Sequence, residues 1–213
     1  MELVRCKKKN CAVCDLPDSK IEQIANELKA GKLVVYPTET LYGLGANPFD
    51  ETAVKRVYMV KKRPFDMPLS IAVRDLTMLE ELAVLDDKAR KLVQKFTPGP
   101  ITILVMKKRN VPDILTSASM EIGVRIPNHP FALRLIEKCG PIVSTSANLH
   151  SQPNPTDAET AIQDIGSRVD ICVDCGPCKV GKPSTIVQLS EGGAEIIRQG
   201  AISEDAIEEA LDE

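Results

Sequence analysis

Apolar residues recur at helical spacing in several stretches of the chain and fill short continuous runs in others, and the two patterns alternate along most of its length. The first helical stretch starts at Ser19. Ile21, Ile24 and Leu28 share a face, Ser19 with Glu22 predicts a capping box, and Gly31 supplies a left-handed residue to close the helix. Residues 33–36 read as a buried strand. Asp50 predicts the cap of a helix with Ala53, Val54, Val57 and Tyr58 inward, which Pro64 forbids from continuing. A strand over 69–73, a helix starting at Asp86 with Ala89, Leu92, Val93 and Phe96 inward, and a strand over 101–106 follow. Strands are predicted next over 122–126 and from 141 to 143, separated by a helix that Pro130 opens and Gly140 ends. Thr156 with Glu159 predicts a second capping box for a helix ending at Gly166. Strands over 169–173, 184–189 and 194–198 come last, the final two joined at Glu191-Gly192-Gly193, before a helix capped by Ser203.

This alternation predicts a single α/β domain, helices packed on a twisted sheet, and the closing hairpin makes that sheet mixed. Residues 1–18 are polar and without period, so an irregular, cysteine-bearing N-terminal arm is expected there, with the domain over 19–213. A chain of 213 residues is long enough for one well-buried core. Its net charge of −3, from 27 basic and 30 acidic residues, does not suit a general nucleic-acid coat, although a local basic patch is compatible with it. No apolar run has the length needed to cross a bilayer, and the first residues lack the apolar core of a secretion signal, so a cytoplasmic protein without membrane attachment is expected. Seven cysteines cannot all pair internally, which argues against a secreted disulfide framework. Cys11-x-x-Cys14 and Cys175-x-x-Cys178 have the spacing of thiolate pairs that ligate zinc, and a structural Zn2+ site follows if the fold brings the pairs together; two loops of reduced thiols are the plainer alternative.

The most concentrated chemistry lies where the strand over 33–36 meets Pro37 and gives way to Thr38-Glu39-Thr40, then Leu41-Tyr42-Gly43-Leu44-Gly45. An ordinary strand-to-loop junction would also account for it. Lys61-Lys62-Arg63 ends a helix, where cations complement the dipole or receive phosphate. Arg125 sits among apolar neighbours of a strand, and a buried cation needs either a carboxylate from elsewhere in the chain or a ligand anion. Ser144-Thr145-Ser146-Ala147-Asn148 offers four hydrogen-bonding side chains in five residues, which a polar turn explains equally well. Residues 176–182 match the first seven positions of a P-loop, but Pro183 replaces the hydroxyl residue and a strand pattern follows, so that reading is rejected in favour of a mobile loop over a pocket. His129 and His150 lie beside turn residues and receive no role.

Taken in order, the 34–45 stretch, Lys61-Lys62-Arg63, Pro98-Gly99-Pro100-Ile101-Thr102, Gly123-Val124-Arg125-Ile126-Pro127, the Ser144–Asn148 run with Gln152-Pro153-Asn154-Pro155-Thr156, and Pro183-Ser184-Thr185-Ile186 resemble the YrdC-like family of L-threonylcarbamoyladenylate synthases over roughly residues 21–211. The resemblance implies a YrdC-like fold and a nucleotidyltransferase joining L-threonine, bicarbonate or CO2 and ATP, with Mg2+ accompanying the ATP. The product would serve threonylcarbamoyl-adenosine formation in tRNA through a downstream threonylcarbamoyl-transferase complex. Carried over by position, Thr40, Arg125, Ser144 and Ser184 would hold threonine, Lys61 and Arg63 would take phosphate oxygens, Ser146 and Asn154 would contact the nucleotide, and Arg198 would close the phosphate side. His150-Ser151 departs from the Ser-Gly pair common in the family, and the end of the chain soon after Arg198 resembles the short form. A module that binds double-stranded RNA or tRNA without catalysis is the competing expectation, weakened by the 3% aromatic content available for stacking.

Overall fold

In the computed structural model, which describes residues 1–8, 13–190 and 192–212, Val34, Val35 and Tyr36 are wholly inaccessible to solvent. The reason is that both faces of their strand are covered. Val34 and Tyr36 pack into one apolar cluster with Ile21, Ile24, Phe131 and Leu135, while Val35 joins another with Leu44, Val57, Leu92 and Ile207. A strand buried on both sides needs apolar residues without alternation, which is the pattern at this point of the sequence.

The strands are β1 (Glu2–Arg5), β2 (Val34–Tyr36), β3 (Gly43–Gly45), β4 (Ser70–Ala72), β5 (Ala83–Val84), β6 (Ile101–Lys107), β7 (Glu121–Arg125), β8 (Ile142–Ser146), β9 (Ile171–Asp174), β10 (Thr185–Ser190) and β11 (Gly193–Arg198). They form one mixed sheet in the order β1-β9-β2-β3-β8-β4-β7-β6-β10-β11, with β5 paired to β6. The helices are α1 (Asp18–Lys29), α2 (Glu51–Lys61), α3 (Leu76–Leu82), α4 (Asp87–Phe96), α5 (Asp113–Thr116), α6 (Pro130–Cys139), α7 (Ala158–Ile165) and α8 (Glu204–Asp212). The expected α/β class and the closing antiparallel hairpin are both present.

Several local expectations are revised. The N-terminal arm is not wholly irregular, because β1 extends the sheet by parallel pairing with β9, Glu2 opposite Ile171 through Arg5 opposite Asp174. Helix α1 starts one residue early, at Asp18, with the Pro17 carbonyl accepting from Lys20 and Ile21. Glu22 is consumed by an ion pair to Lys138 of α6 (3.0 Å), so the Ser19–Glu22 box does not form. At α7 the cap is Asp157, whose carboxylate accepts from the Thr160 amide (2.8 Å), in place of Thr156. Ser144 and Ser146 belong to β8 instead of a turn. Gly31 does take up the left-handed conformation (φ 85°) after α1, and Asp50, Asp86 and Ser203 do accept from the first turns of α2, α4 and α8.

Asp50 is the clearest of these caps, its Oδ1 receiving the amides of Thr52 (2.9 Å) and Ala53 (3.1 Å). Asp50→Ala leaves those amides without a side-chain acceptor and lowers the unfolding free energy by about 1 kcal/mol in urea titrations, whereas Asp50→Asn retains most of it.

Candidate active site

The polar stretch after β2 is held in shape by its own side chains. The Thr38 hydroxyl donates to the Leu41 carbonyl (2.6 Å) and accepts from the Thr40 and Leu41 amides (both 3.2 Å). Since its single proton is used, the 2.8 Å contact with Thr40 Oγ1 is one in which Thr40 donates. Thr40 Oγ1 in turn accepts from Arg125 Nη1 (3.2 Å). Beside it, Glu39 Oε1 accepts from Arg125 Nη2 at 2.6 Å, and Glu39 Oε2 accepts from the Asn128 amide at 3.1 Å. Both members of the ion pair are almost fully buried, with side chains 9% and 7% exposed. Of the two sources of compensation left open for Arg125, the chain supplies a carboxylate from β2's exit loop.

The three consecutive cations at the end of α2 go to three different places. Lys62 turns left-handed (φ 51°) as the helix ends and stays exposed. Lys61, 2% exposed, points inward, and its three donors are taken by the Ser146 carbonyl, the Asn148 carbonyl (2.8 Å) and Asn148 Oδ1 (3.2 Å). Arg63 is pinned along the next loop by the carbonyls of Met67 (3.1 Å) and Pro68 (2.9 Å) and faces the cleft. From the other side comes Arg198, donating to the Ser184 carbonyl (2.8 Å) and hydroxyl (3.2 Å). The register of β10 and β11 shifts between Ile186 and Val187, so that Arg198 pairs with Ile186; a bulge of this kind re-aims a side chain at a strand end.

Arg63, Arg125 and Arg198 therefore line one open cleft together with Thr38, Thr40, Thr102, Ser144, Ser146 and Ser184. The cavity itself holds about 160 Å³ and opens to solvent at its mouth. Among the described residues its lining includes no Asp or Glu. Burial draws the Arg198 guanidinium below its ordinary range, and the charges of Arg125 and then Arg63 add to that. Burial likewise lowers Arg63. Burial, followed by the Arg63 charge, pulls Lys61 down to about 7, with Asp164 opposing. Such mutual repulsion between cations is relieved by an anion, and the surrounding hydroxyls can both donate to and accept from its oxygens.

Seven residues singled out from the sequence thus meet: Thr40, Arg63, Arg125, Ser144, Ser146, Ser184 and Arg198. Two do not line the cleft. Lys61 is withdrawn because the carbonyls of Ser146 and Asn148 and the side-chain oxygen of Asn148 take its donors, and Asn154 sits exposed on the loop after β8. The expected zinc quartet is also revised. Cys14 and Cys175 do converge, but with Cys6, the three sulfurs lying within 4.8 Å of one another in a group able to hold a metal ion. Cys178 is carried away by the turn at Gly176 (φ 90°) and donates its amide to the Thr156 carbonyl, while Cys11 lies outside the described residues. The segment expected to cover the pocket is fastened instead of loose: Tyr42 donates to the Gly176 carbonyl (2.7 Å) and the Val180 amide donates to the Glu39 carbonyl (2.8 Å). No helix follows it, which agrees with rejecting the P-loop. His129 caps α6, accepting from the Phe131 amide. Sequence reasoning misses Thr38, Glu39 and Thr102 as site residues although they lie within the same motifs, and Ser70 carries no local signal, entering only through its pairing with Ser144.

The Sua5/YciO/YrdC family model, described as "Telomere recombination", matches residues 26–200. The chain belongs to this family. A relative from Methanocaldococcus jannaschii is 41% identical over 182 residues, covering 85% of this chain and 86% of its own length. A Pyrococcus abyssi protein named threonylcarbamoyl-AMP synthase is 39% identical over 196 residues, 91% of this chain but 58% of its own, so this member of the family spans little more than half of that relative. In three dimensions it is similar to P. abyssi Sua5 complexed with L-threonine, with a TM-score of 0.92 and 35% identity over 99% of this chain and 61% of that one. Escherichia coli YciO aligns with a TM-score of 0.85 and 26% identity, covering 97% of this chain and all of the other.

Lys61 makes the burial of charge in this family member measurable. In the unfolded chain its ammonium titrates near 10.5, so between pH 7 and that value the unfolded state binds the extra proton and stability rises with pH. The unfolding free energy of the protein relative to Lys61→Met is expected to grow from pH 7 to pH 9 by up to about 1.4 kcal/mol per pH unit. A difference that stays flat would show that the three oxygens hold the ammonium charged.

Proposed function

We propose that this member of the family is a nucleotidyltransferase that forms L-threonylcarbamoyladenylate and pyrophosphate from L-threonine, CO2 or bicarbonate, and ATP. The observation that carries the reading is the convergence of Arg63, Arg125 and Arg198 with a ring of hydroxyls in a cleft whose described lining has no carboxylate. An amino acid's carboxylate and a triphosphate need such a set of partners side by side. The names of the P. abyssi relative and of its L-threonine complex support the same substrates.

Arg125 would receive the threonine carboxylate with its cleft-facing N–H groups while Glu39 and Thr40 fix the guanidinium plane. Thr40, Ser144 and Ser184 would complete the amino-acid subsite, Arg63 and Arg198 would take phosphate oxygens, and Ser146 would contact the nucleotide. Lys61 would be a positioning residue, tying the backbone at Ser146 and Asn148 to the end of α2. In the reaction, the neutral amine of threonine adds to the carbon of CO2 and loses a proton. A carbamate oxygen then attacks the α-phosphorus in line, and the bond to pyrophosphate breaks. Holding the two reactants in contact and neutralising the phosphate charge are the protein's part, and both act without a covalent intermediate on the chain. A Mg2+ ion would neutralise phosphate charge; without carboxylates among the described lining residues it would ride on the phosphates and water. The adenylate would pass, in the cytoplasm, to a threonylcarbamoyl-transferase complex acting on tRNA. Direct binding of double-stranded RNA gains no specific support from the cleft.

Pyrophosphate release from ATP is expected only when L-threonine and bicarbonate are both present. Arg125→Lys, which keeps the charge opposite Glu39 but loses the planar fork, raises the KM for threonine by about 10- to 100-fold with a smaller effect on that for ATP. Release that ignores threonine, or an unchanged KM in the variant, would refute the assignment.

A further inference from the structure

Three of the seven cysteines meet at a place outside the cleft lining. β1 and β9 run parallel and in register, and one residue beyond each strand come Cys6 and Cys175, the Cys6 amide donating to the Asp174 carbonyl (2.8 Å). Cys6 and Cys175 are disulfide-bonded, and the Cys14 sulfur stands beside them, all three within 4.8 Å. The arm is built to keep Cys14 there. Asp15 accepts the amides of Lys7 and Lys8 (both 2.9 Å), closing the turn that follows Cys6. Arg134 of α6 donates to the carbonyls of Cys14 (3.3 Å) and Leu16 (2.9 Å) and to the Cys14 sulfur itself (3.5 Å).

A disulfide uses two sulfurs and has no need of a third; a thiol held next to one instead makes it open to exchange. Three sulfurs in tetrahedral zinc coordination stand about 3.8 Å apart, as follows from a Zn–S bond of about 2.3 Å. We propose that Cys6, Cys14 and Cys175 in their thiolate state supply three ligands of a structural zinc site, and that the Cys6–Cys175 disulfide is its oxidised, metal-free form. The metal clasps the arm to the end of β9, and the guanidinium of Arg134 supports a ligating sulfur as outer-shell donors do. Cys175 is also the root of the segment that reaches the cleft. Tyr42 accepts from the Cys175 amide (3.3 Å), and eight residues on, Pro183 and Ser184 line the cavity. Conversion of the disulfide to the metal-binding thiols balances when a phosphine reductant is supplied: phosphorus takes oxygen from water and is oxidised, the S–S bond breaks, and the two water protons go to the sulfurs. Zinc then displaces the thiol protons.

The test uses the full chain, reduced with a phosphine, freed of the reductant without oxygen and titrated with Zn2+ against a chromophoric chelator, and with Co2+ for thiolate-to-metal charge transfer. About one Zn2+ per chain is expected, with Co2+ giving a four-coordinate spectrum. Cys14→Ser, which leaves both disulfide partners in place, weakens binding more than about 10-fold, and Cys6→Ser does the same, while Cys139→Ser and Cys178→Ser bind as the unaltered chain does. Absence of binding once all thiols are shown to be free, or retention of full affinity in Cys14→Ser, would overturn the proposal. Loss of binding in Cys178→Ser would equally do so, by favouring the paired C-x-x-C set.

Discussion

The buried pair between Arg125 and Glu39 is the contact on which the cleft depends. It joins the end of β7 to the exit loop of β2, two strands separated in the sheet by β3, β8 and β4. Through Thr40 it reaches the hydroxyl network that shapes residues 38–41, and through Glu39 it fixes the backbone at Asn128. Desolvating both charges is expensive, and the pair is therefore weak support for stability in itself. Its use is to set orientation: a guanidinium clamped on one edge presents its remaining N–H groups in a fixed direction.

Around that anchor the chain accepts an unfavourable charge distribution. Arg63 and Arg198 come close enough to Arg125 for Arg198 to feel both, in a cleft that screens them less than open water. Among the described residues neither finds a carboxylate there; both are tethered to carbonyls, with Arg198 also held by the Ser184 hydroxyl, and these hold geometry without cancelling charge. The favourable partner is left to the ligand. Lys61 illustrates the opposite solution, its amine given over to the carbonyls of Ser146 and Asn148 and to the Asn148 side-chain oxygen at the end of β8.

Much of this is legible in the sequence where the cause is local. The amphipathic faces of α1, α2, α4 and α6, and the aspartates at the heads of α2 and α4, are short-range consequences of residue order. The cleft residues stand out as polar side chains at strand ends, which is where an α/β sheet exposes them. What cannot be read are pairings set by distant parts of the chain. β1 is four residues whose partner lies about 170 positions away, and without that strand nothing places Cys6 beside Cys175. Glu39 is visible as a residue but not as the partner of Arg125. Lys61 and Arg63 look equivalent because their difference is made by one left-handed residue, Lys62, and by the loop that captures the lysine.

The most direct test of the anchor's role is a double-mutant cycle, with unfolding free energies measured for the unaltered chain, Glu39→Gln, Arg125→Met and the double variant. Each single change is predicted to cost about 3–5 kcal/mol because it strands a buried charge or its hydrogen-bonding partner, and the double change to cost well under the sum. Additive losses would mean that the two groups do not interact across the sheet, and the cleft would then lack the constraint that sets its geometry.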